Sequence, residues 1–288
     1  MKSQEVRLSI ESGDEVRAYR PKFRGSGGSS VGTMSGVDVP DFRKTQSAGR
    51  VSLSSRDLEL IEFVLDMKFA SRAELFEKFF SKLKSNEKAK SDLWARDRLS
   101  LLERGGFLKG THSFAESIRY YVATEKAYFA LVNAKPIERA PRAVPSIDQR
   151  IFLHDKMVLL SRLEFERAEP NGRWLSDRRL RAGIAAMLRI QTSNIPDAIY
   201  EFSDGERVAF ELENAPKGRV AYDDKINYFV KLIESKGDER QLFSRVHFRC
   251  VLPSVAEKLK NETSMYGRLF TVELWKSDLS PFTERGES

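Results

Sequence analysis

The sequence predicts a two-domain protein of mixed α+β and α/β type, on three observations. From about Val51 to Ala134, apolar residues recur at helical spacing in three successive stretches and then give way to a short β-like pair. A stretch at 135–150, carrying Pro136, Pro141 and Pro145, interrupts both periodicities and reads as a linker. Beyond it, 151–280 read as a helix, two or three strands, a helix, a strand, a helix and a strand. A length of 288 residues suits two domains of ordinary size.

Residues 1–50 are a different material. Gly25-Ser26-Gly27-Gly28-Ser29-Ser30 is a flexible linker by composition, set among Arg17, Arg20, Lys22, Arg24, Arg43, Lys44 and Arg50. The expectation is a disordered basic tail that either adds nonspecific phosphate contacts or is simply solvated. Ser54 or Ser55 then caps a helix whose apolar face is Leu58, Ile61, Phe63, Val64 and Leu65. Ser71-Arg72-Ala73-Glu74 is a capping box for a second helix with Leu75, Phe76, Phe79 and Phe80. A lysine-rich stretch leads into a third helix with the stripe Ala95, Leu99 and Leu102, stopped by Gly105-Gly106. The strand-like Ile118 to Ala123 and a helix from Thr124 follow.

Composition bounds the function. Net charge is +7 and 41% of residues are hydrophobic, so real cores are affordable and a polyanionic partner is favoured, the alternative being a soluble protein with a Lys/Arg-rich surface. The single cysteine, Cys250, excludes an internal disulfide and reads as a buried small hydrophobe. With three histidines besides, a structural zinc site is not expected. No run is apolar enough to span a membrane and Met1 opens no signal-peptide pattern, so the expected location is the cytoplasm.

In the second half, 151–167 reads as a helix with Ile151, Met157, Leu160 and Leu163, and His154 within it is assigned a structural role. Arg173, Arg178, Arg179 and Arg181 form a cluster that either binds phosphates of DNA or of a nucleotide effector, or is a solvated surface. The stretch Asn194 to Lys217 carries the most chemistry. Asp204-Gly205 signals a hairpin with a turn of reversed type. Val208, Phe210 and Leu212 fall on one face of the returning strand, and Ala209, Glu211 and Glu213 on the other. With Asp197 starting the first strand, three carboxylates converge at one end of the ribbon. Oxygen ligands on a rigid strand suit Mg²⁺, which activates water and stabilises charge on a phosphoryl group. The alternative is an acidic, solvated hairpin face.

Two resemblances extend this. The phrases S-S-R-D-L-E-L-I-E, S-R-A-E-L-F, R-D-R-L-S-L-L-E-R-G-G-F-L and Y-Y-V-A-T-E-K-A, over residues 51–134, resemble a winged helix-turn-helix. That implies a third helix in the DNA major groove and a wing on the backbone. Lys84, Lys88, Lys90, Ser91, Arg96 and Arg98 are then the DNA-binding candidates, and a homodimer on two-fold sites is expected. Pro196-Asp197 and Glu211-Leu212-Glu213, over 151–280, resemble the signature of the PD-(D/E)xK nuclease-like superfamily, whose fold is a restriction-endonuclease-like α/β sandwich. The superfamily has Lys where this chain has Glu213. On that likeness Asp197 and Glu211 would hold Mg²⁺, with Glu213 or Lys217 assisting water if the site is active. The whole layout, including His154-Asp155 and the W-x-S-(acid) phrase at Trp174 to Asp177, resembles the bacterial replication-relaxation family.

The expectation is therefore a protein that binds double-stranded DNA, a transcriptional regulator needing no cofactor for that binding. Its nuclease-like domain would serve dimerisation, DNA contact or ligand sensing. A Mg²⁺-dependent endonuclease linked to replication or mobile-element transfer is the alternative, and a protein-interaction adaptor is a third.

Overall fold

In the computed structural model, which describes residues 51–81, 92–135, 140–184, 194–234 and 242–275, two serines open the first two helices by the same device. Ser54 caps α1 (Ser55–Met67) and Ser71 caps α2 (Arg72–Phe79). Each hydroxyl accepts from the backbone N–H three residues on, and the carboxylate there, Asp57 or Glu74, accepts from the serine's own N–H. α1 stops at Lys68, the one described non-glycine residue with positive φ, at 72°. The chain turns there into β1 (Ala70–Ser71).

α3 (Asp92–Arg104) buries its stripe of Ala95, Leu99 and Leu102, and Gly106 at φ 73° ends it. β2 (Leu108–His112) and β3 (Arg119–Ala123) form an antiparallel hairpin, and β1 pairs with the other edge of β3. A Cβ at Gly110 in β2 would stand 2.3 Å from the end of the Arg119 side chain as it crosses the hairpin, so Arg119 would have to move aside. α4 (Glu125–Ala134) follows, capped by Thr124.

α5 (Phe152–Ala168) is buried along nearly its whole first half, from Asp155 through Leu163 without a break. A helix buried on successive residues is enclosed on every side. One side of α5 lies against α1 and α2, and another against a five-stranded sheet of order β4-β5-β6-β7-β8. That sheet comprises β4 (Arg173–Ser176), β5 (Ala198–Glu201), β6 (Arg207–Glu213), β7 (Arg245–Cys250) and β8 (Phe270–Leu274). β4, β5 and β6 run antiparallel in sequence, whereas β6, β7 and β8 are parallel. The parallel pairs need crossovers, and these are α7 (Arg219–Glu234) and α8 (Pro253–Thr263). A short α6 (Asp177–Arg179) and a π-turn leave β4.

The faces of β6 follow its alternation. Phe210 and Leu212 join the core shared with α5, and Ala209 joins the core under α7 and α8. Phe165 of α5 packs on Trp174, Tyr200 and Phe210. The architecture is thus mixed α+β, and Gln46–Ser288 forms one compact unit. Of the expected linker, Ala140 and Ile147 are buried, and Phe152 stacks on Phe69 at 5.2 Å with Tyr120 edge-on at 5.3 Å.

Three details differ from the sequence reading. The β5–β6 connection is not a reversed two-residue turn. Only Gly205 takes positive φ, 88°, and Phe202 pairs with Glu206 around a three-residue loop, as in a bulged hairpin. The sequence places Ser254 as the cap of a short helix through Lys260, whereas α8 begins at Pro253; a proline in the first turn costs no hydrogen bond. β5 is shorter than expected, since Asp197 precedes it. The tail 1–50, Lys84, Lys88, Lys90 and Ser91, and 136–139 of the linker lie outside the described residues. Among the described residues no helix is long and apolar enough to cross a membrane.

Candidate functional site

β5 and β6 bring Asp197, Glu211 and Glu213 to one end of the large sheet, as their register dictates. Asp197 is fixed by its backbone, whose carbonyl accepts from Asp177 N–H at 2.9 Å. Its carboxylate accepts from Leu212 N–H at 2.8 Å, which ties the start of β5 to the end of β6. Glu211 and Glu213 sit side by side on the α7 face of β6, 3% and 1% exposed. Burying two carboxylates is tolerable only with cations beside them.

α7 supplies the principal one. Lys225 Nζ donates to Glu211 Oε2 at 2.6 Å and to Glu213 Oε1 at 3.0 Å. Lys217, exposed on the loop before α7, also holds Glu213, at 2.8 Å. Burial pushes the Glu211 carboxyl up to about 7; Lys225 opposes this and Asp197 and Glu213 reinforce it. Burial works against the charge on Lys225, but Glu211, Glu213 and Asp197 outweigh it and hold its pKa above the usual lysine range.

The other wall is the first turn of α5. His154 Nε2 lies 3.3 Å from Asp197 Oδ2, and Nδ1 lies 3.7 Å from Asp155 Oδ1. Burial disfavours the imidazolium, yet Asp197 and Asp155 prevail and raise its pKa to about 10, so the ring is charged at neutral pH. Asp197 is correspondingly held low: burial raises it, and His154 and Lys225 outweigh that. Lys68, from the end of α1, donates to Asp155 at 2.6 Å. Asp177 stands nearby, its pKa raised by burial and by Asp197 and Asp155 against the pull of Lys68. The result is a chain of alternating charge, Lys68, Asp155, His154, Asp197, ending beside the pair Glu211 and Lys225.

All four candidates on the hairpin are therefore assembled. The sequence missed Lys225 and Lys68, which arrive from separate helices, and the contact of His154 with Asp197, which joins α5 to the start of β5. The signal for Lys225 was a lysine on the inward edge of the Ile226, Phe229, Ile233 stripe, where a cation needs an anion.

The arginine cluster is not one surface. Arg179 donates to Asp66 at 2.8 and 2.9 Å and also to Glu62, and Asp66 is 3% exposed. Arg178 donates to the Leu65 and Arg142 carbonyls. These two fasten the second half to α1. Arg173 and Arg181 are exposed, the latter 3.7 Å from Asp177. Arg98 is likewise committed. It holds Asp57 of the α1 capping box at 2.8 Å and the Ser52 carbonyl at 2.8 Å, so it is withdrawn from the solvent face of α3.

Arg96 does face solvent. It shares a cleft of about 410 Å³ with Arg72, the first residue of α2, and Arg119, the first residue of β3, over a floor of Ala73, Ile118 and Tyr121. Each arginine has a nearby acid: Asp92 at 3.5 Å, Asp97 at 3.7 Å and Glu103 at 2.6 Å respectively for Arg72, Arg96 and Arg119. All three guanidiniums are about half exposed, so these pairs are weak and exchangeable.

Comparison with protein-family models, with curated proteins and with solved structures finds no match to this chain.

Proposed function

We propose that this chain binds double-stranded DNA through α2, α3 and the β2–β3 hairpin, and acts as a transcriptional regulator. The first half is read as a winged helix-turn-helix, the second as a PD-(D/E)xK-like layer, and the whole as akin to the replication-relaxation family. The observation that carries the reading is the cleft of Arg72, Arg96 and Arg119. It lies where the helix order α1, β1, α2, α3 and the antiparallel β1-β3-β2 sheet would present a recognition helix and a wing to a duplex. Exposed Leu93 and Trp94 on α3 leave room for a second copy on a two-fold site.

The carboxylate site supports a non-catalytic role in this reading. Asp197 and Glu211 are the residues that would hold Mg²⁺, which would supply water activation. Each already faces a protein cation, and among the described residues no three His, Cys, Asp or Glu side chains are grouped to share a metal ion. The residues as arranged do not fit a metal. One observation favours the endonuclease as a second reading: Lys225 brings an ammonium to Glu213, the position at which the nuclease signature has lysine.

The test is fluorescence anisotropy with duplex DNA over a salt series, alongside plasmid incubation with Mg²⁺ or Mn²⁺. Each phosphate contact adds about 0.9 to the slope of log affinity against log salt. The triple variant Arg72→Ala, Arg96→Ala, Arg119→Ala is expected to flatten the slope by about 2–3 on that scale. An unchanged slope overturns the DNA face. Metal-dependent nicking that disappears in Glu211→Ala moves the assignment to the endonuclease, and absence of both binding and nicking moves it to the adaptor.

A further inference from the structure

The tip of the β2–β3 hairpin holds an aromatic ring out in water. Phe114 is 93% exposed, the most exposed large hydrophobic side chain among the described residues, and Ile118, 44% exposed, closes the same loop. Apolar surface left in water is costly, and a loose loop relieves the cost by folding its side chain back onto the protein. This loop is pinned instead. Gln149 Oε1 accepts from the Phe114 N–H at 2.9 Å and from the Ser113 hydroxyl at 3.3 Å, and Gln149 Nε2 donates to the His112 carbonyl at 3.4 Å. Ser113 Oγ accepts from the Ala115 N–H at 3.0 Å. On the other side of the ring, the Tyr120 hydroxyl donates to Glu116, and buried Lys156 of α5 donates to the Tyr120 oxygen at 3.1 Å. The backbone is therefore fixed on both sides of Phe114, and the ring is presented in one place.

The surroundings indicate what the ring meets. His112 and Arg119, paired across the mouth of the loop, are both exposed, and Lys109 is exposed on the same strand as His112. The loop's one acid, Glu116, is turned onto Tyr120 with Lys156 Nζ 4.0 Å away, so its charge is answered from inside the fold. Asp148, on the segment that carries Gln149, is matched by Arg150 at 2.7 Å. An apolar tip flanked by cations suits a polyanion with an apolar interior, which is what stacked base pairs between phosphates are. Ile118 and Arg119 also line the arginine cleft, so the tip is continuous with the face assigned above to DNA.

We infer that Phe114 is a wedge that enters between two base pairs of bound duplex DNA from the minor groove and kinks it, so that the protein bends DNA as well as binding it. The inference rests on the DNA reading above and adds an activity to it. Apolar side chains inserted at a base step partly unstack it and kink the duplex by about 20–90°. A side chain already held in its bound position saves the cost of ordering it on binding. Unstacking is easiest at pyrimidine–purine steps, so TpA is the step the wedge would select.

The experiment uses full-length protein and a duplex of about 25 bp with TpA steps at its centre and a FRET pair on its two ends. Anisotropy over a salt series reads binding, and FRET reads the end-to-end distance. The expected result is a bend of about 20–90°, abolished in Phe114→Ala and kept in Phe114→Leu, which still offers an apolar wedge. The salt slope of Phe114→Ala should differ from wild type by less than about 0.9, the share of one phosphate contact. Salt-sensitive binding without a bend overturns the wedge and leaves the DNA reading standing, as does an equal bend in Phe114→Ala. A Phe114→Ala variant that bends DNA normally but sediments as a smaller species assigns the tip to a second copy of the chain, and also overturns it. Failure to bind the duplex at all overturns both the wedge and the DNA reading.

Discussion

Replacing Lys225 by Met tests the electrostatic centre of the second half. One ammonium serves two carboxylates that are almost wholly buried, at 2.6 and 3.0 Å. Methionine keeps much of the stem's volume, so packing changes little and the loss is chiefly of charge. Breaking a buried ion pair from one side leaves the partner charge uncompensated and costs about 3–5 kcal/mol. Lys217 still reaches Glu213 but not Glu211, so the lower end of that range, about 3 kcal/mol, applies near pH 8. With a urea slope of about 2–3 kcal/mol/M, the unfolding midpoint moves down by roughly 1–1.5 M. At pH 5 the orphaned Glu211 takes a proton instead of carrying a naked charge, and much of the loss is recovered. Urea titrations of both proteins at the two pH values measure this. A loss under about 1 kcal/mol at pH 8 is what an exposed ion pair gives. That result, or a loss equal at both pH values, would refute the view that Lys225 neutralises a buried pair.

Three further outcomes are expected. The raised pKa of Glu211 means that the folded state holds its proton more tightly than the unfolded chain, whose value is 4.5 against about 7. Its stabilising contribution is thus complete below about pH 4.5 and lost as pH rises through 7; the shift corresponds to about 3 kcal/mol, and Glu211→Gln should flatten stability across that window. His154, at about 10 against 6.5, has the same sign at higher pH, so His154→Gln should remove a decline in stability between those values. Asp66→Ala removes the buried acid shared by Arg179 and Arg162, which keep Glu62 and Glu166 respectively; a loss of about 3 kcal/mol, the low end for a broken buried pair, is expected by urea titration, and a loss under about 1 kcal/mol would show that the network does not hold the halves together.

The sequence made the local elements legible and left the long-range pairings hidden, for a physical reason. Helix stripes, capping boxes and strand alternation are written within a few residues, and Ser71-Arg72-Ala73-Glu74 or Ala95, Leu99 and Leu102 announce their structure directly. The order of strands around Asp197 and Glu211 was likewise legible, because a hairpin is local. Charge commitments are not local. Arg98, Arg178 and Arg179 look like surface cations in the sequence, and only the fold shows that Asp57, Leu65 and Asp66 claim them, from 41 or more residues away. The same holds for Lys225, whose partners lie 12 and 14 residues back across a crossover. The hairpin turn shows a finer limit: Asp-Gly signals a turn, but which residues take positive φ depends on the register of strands that the turn itself only partly sets.

The path from α1 to the carboxylates bears on how the two halves work together. Lys68 sits at the end of α1 in a backbone conformation unusual for a side-chain-bearing residue, and its ammonium is spent on Asp155 of α5. Asp155 and Asp197 share His154, and Asp197 in turn holds the Leu212 N–H between Glu211 and Glu213. A ligand or a proton that changes Asp197 therefore changes what His154 faces. α1 packs on α4 and on β3, the strand that carries Arg119. The route of ion pairs from the carboxylates thus reaches α1 at Lys68, and the buried network of Asp66, Arg162 and Arg179 ties the same helix to α5 and to α6.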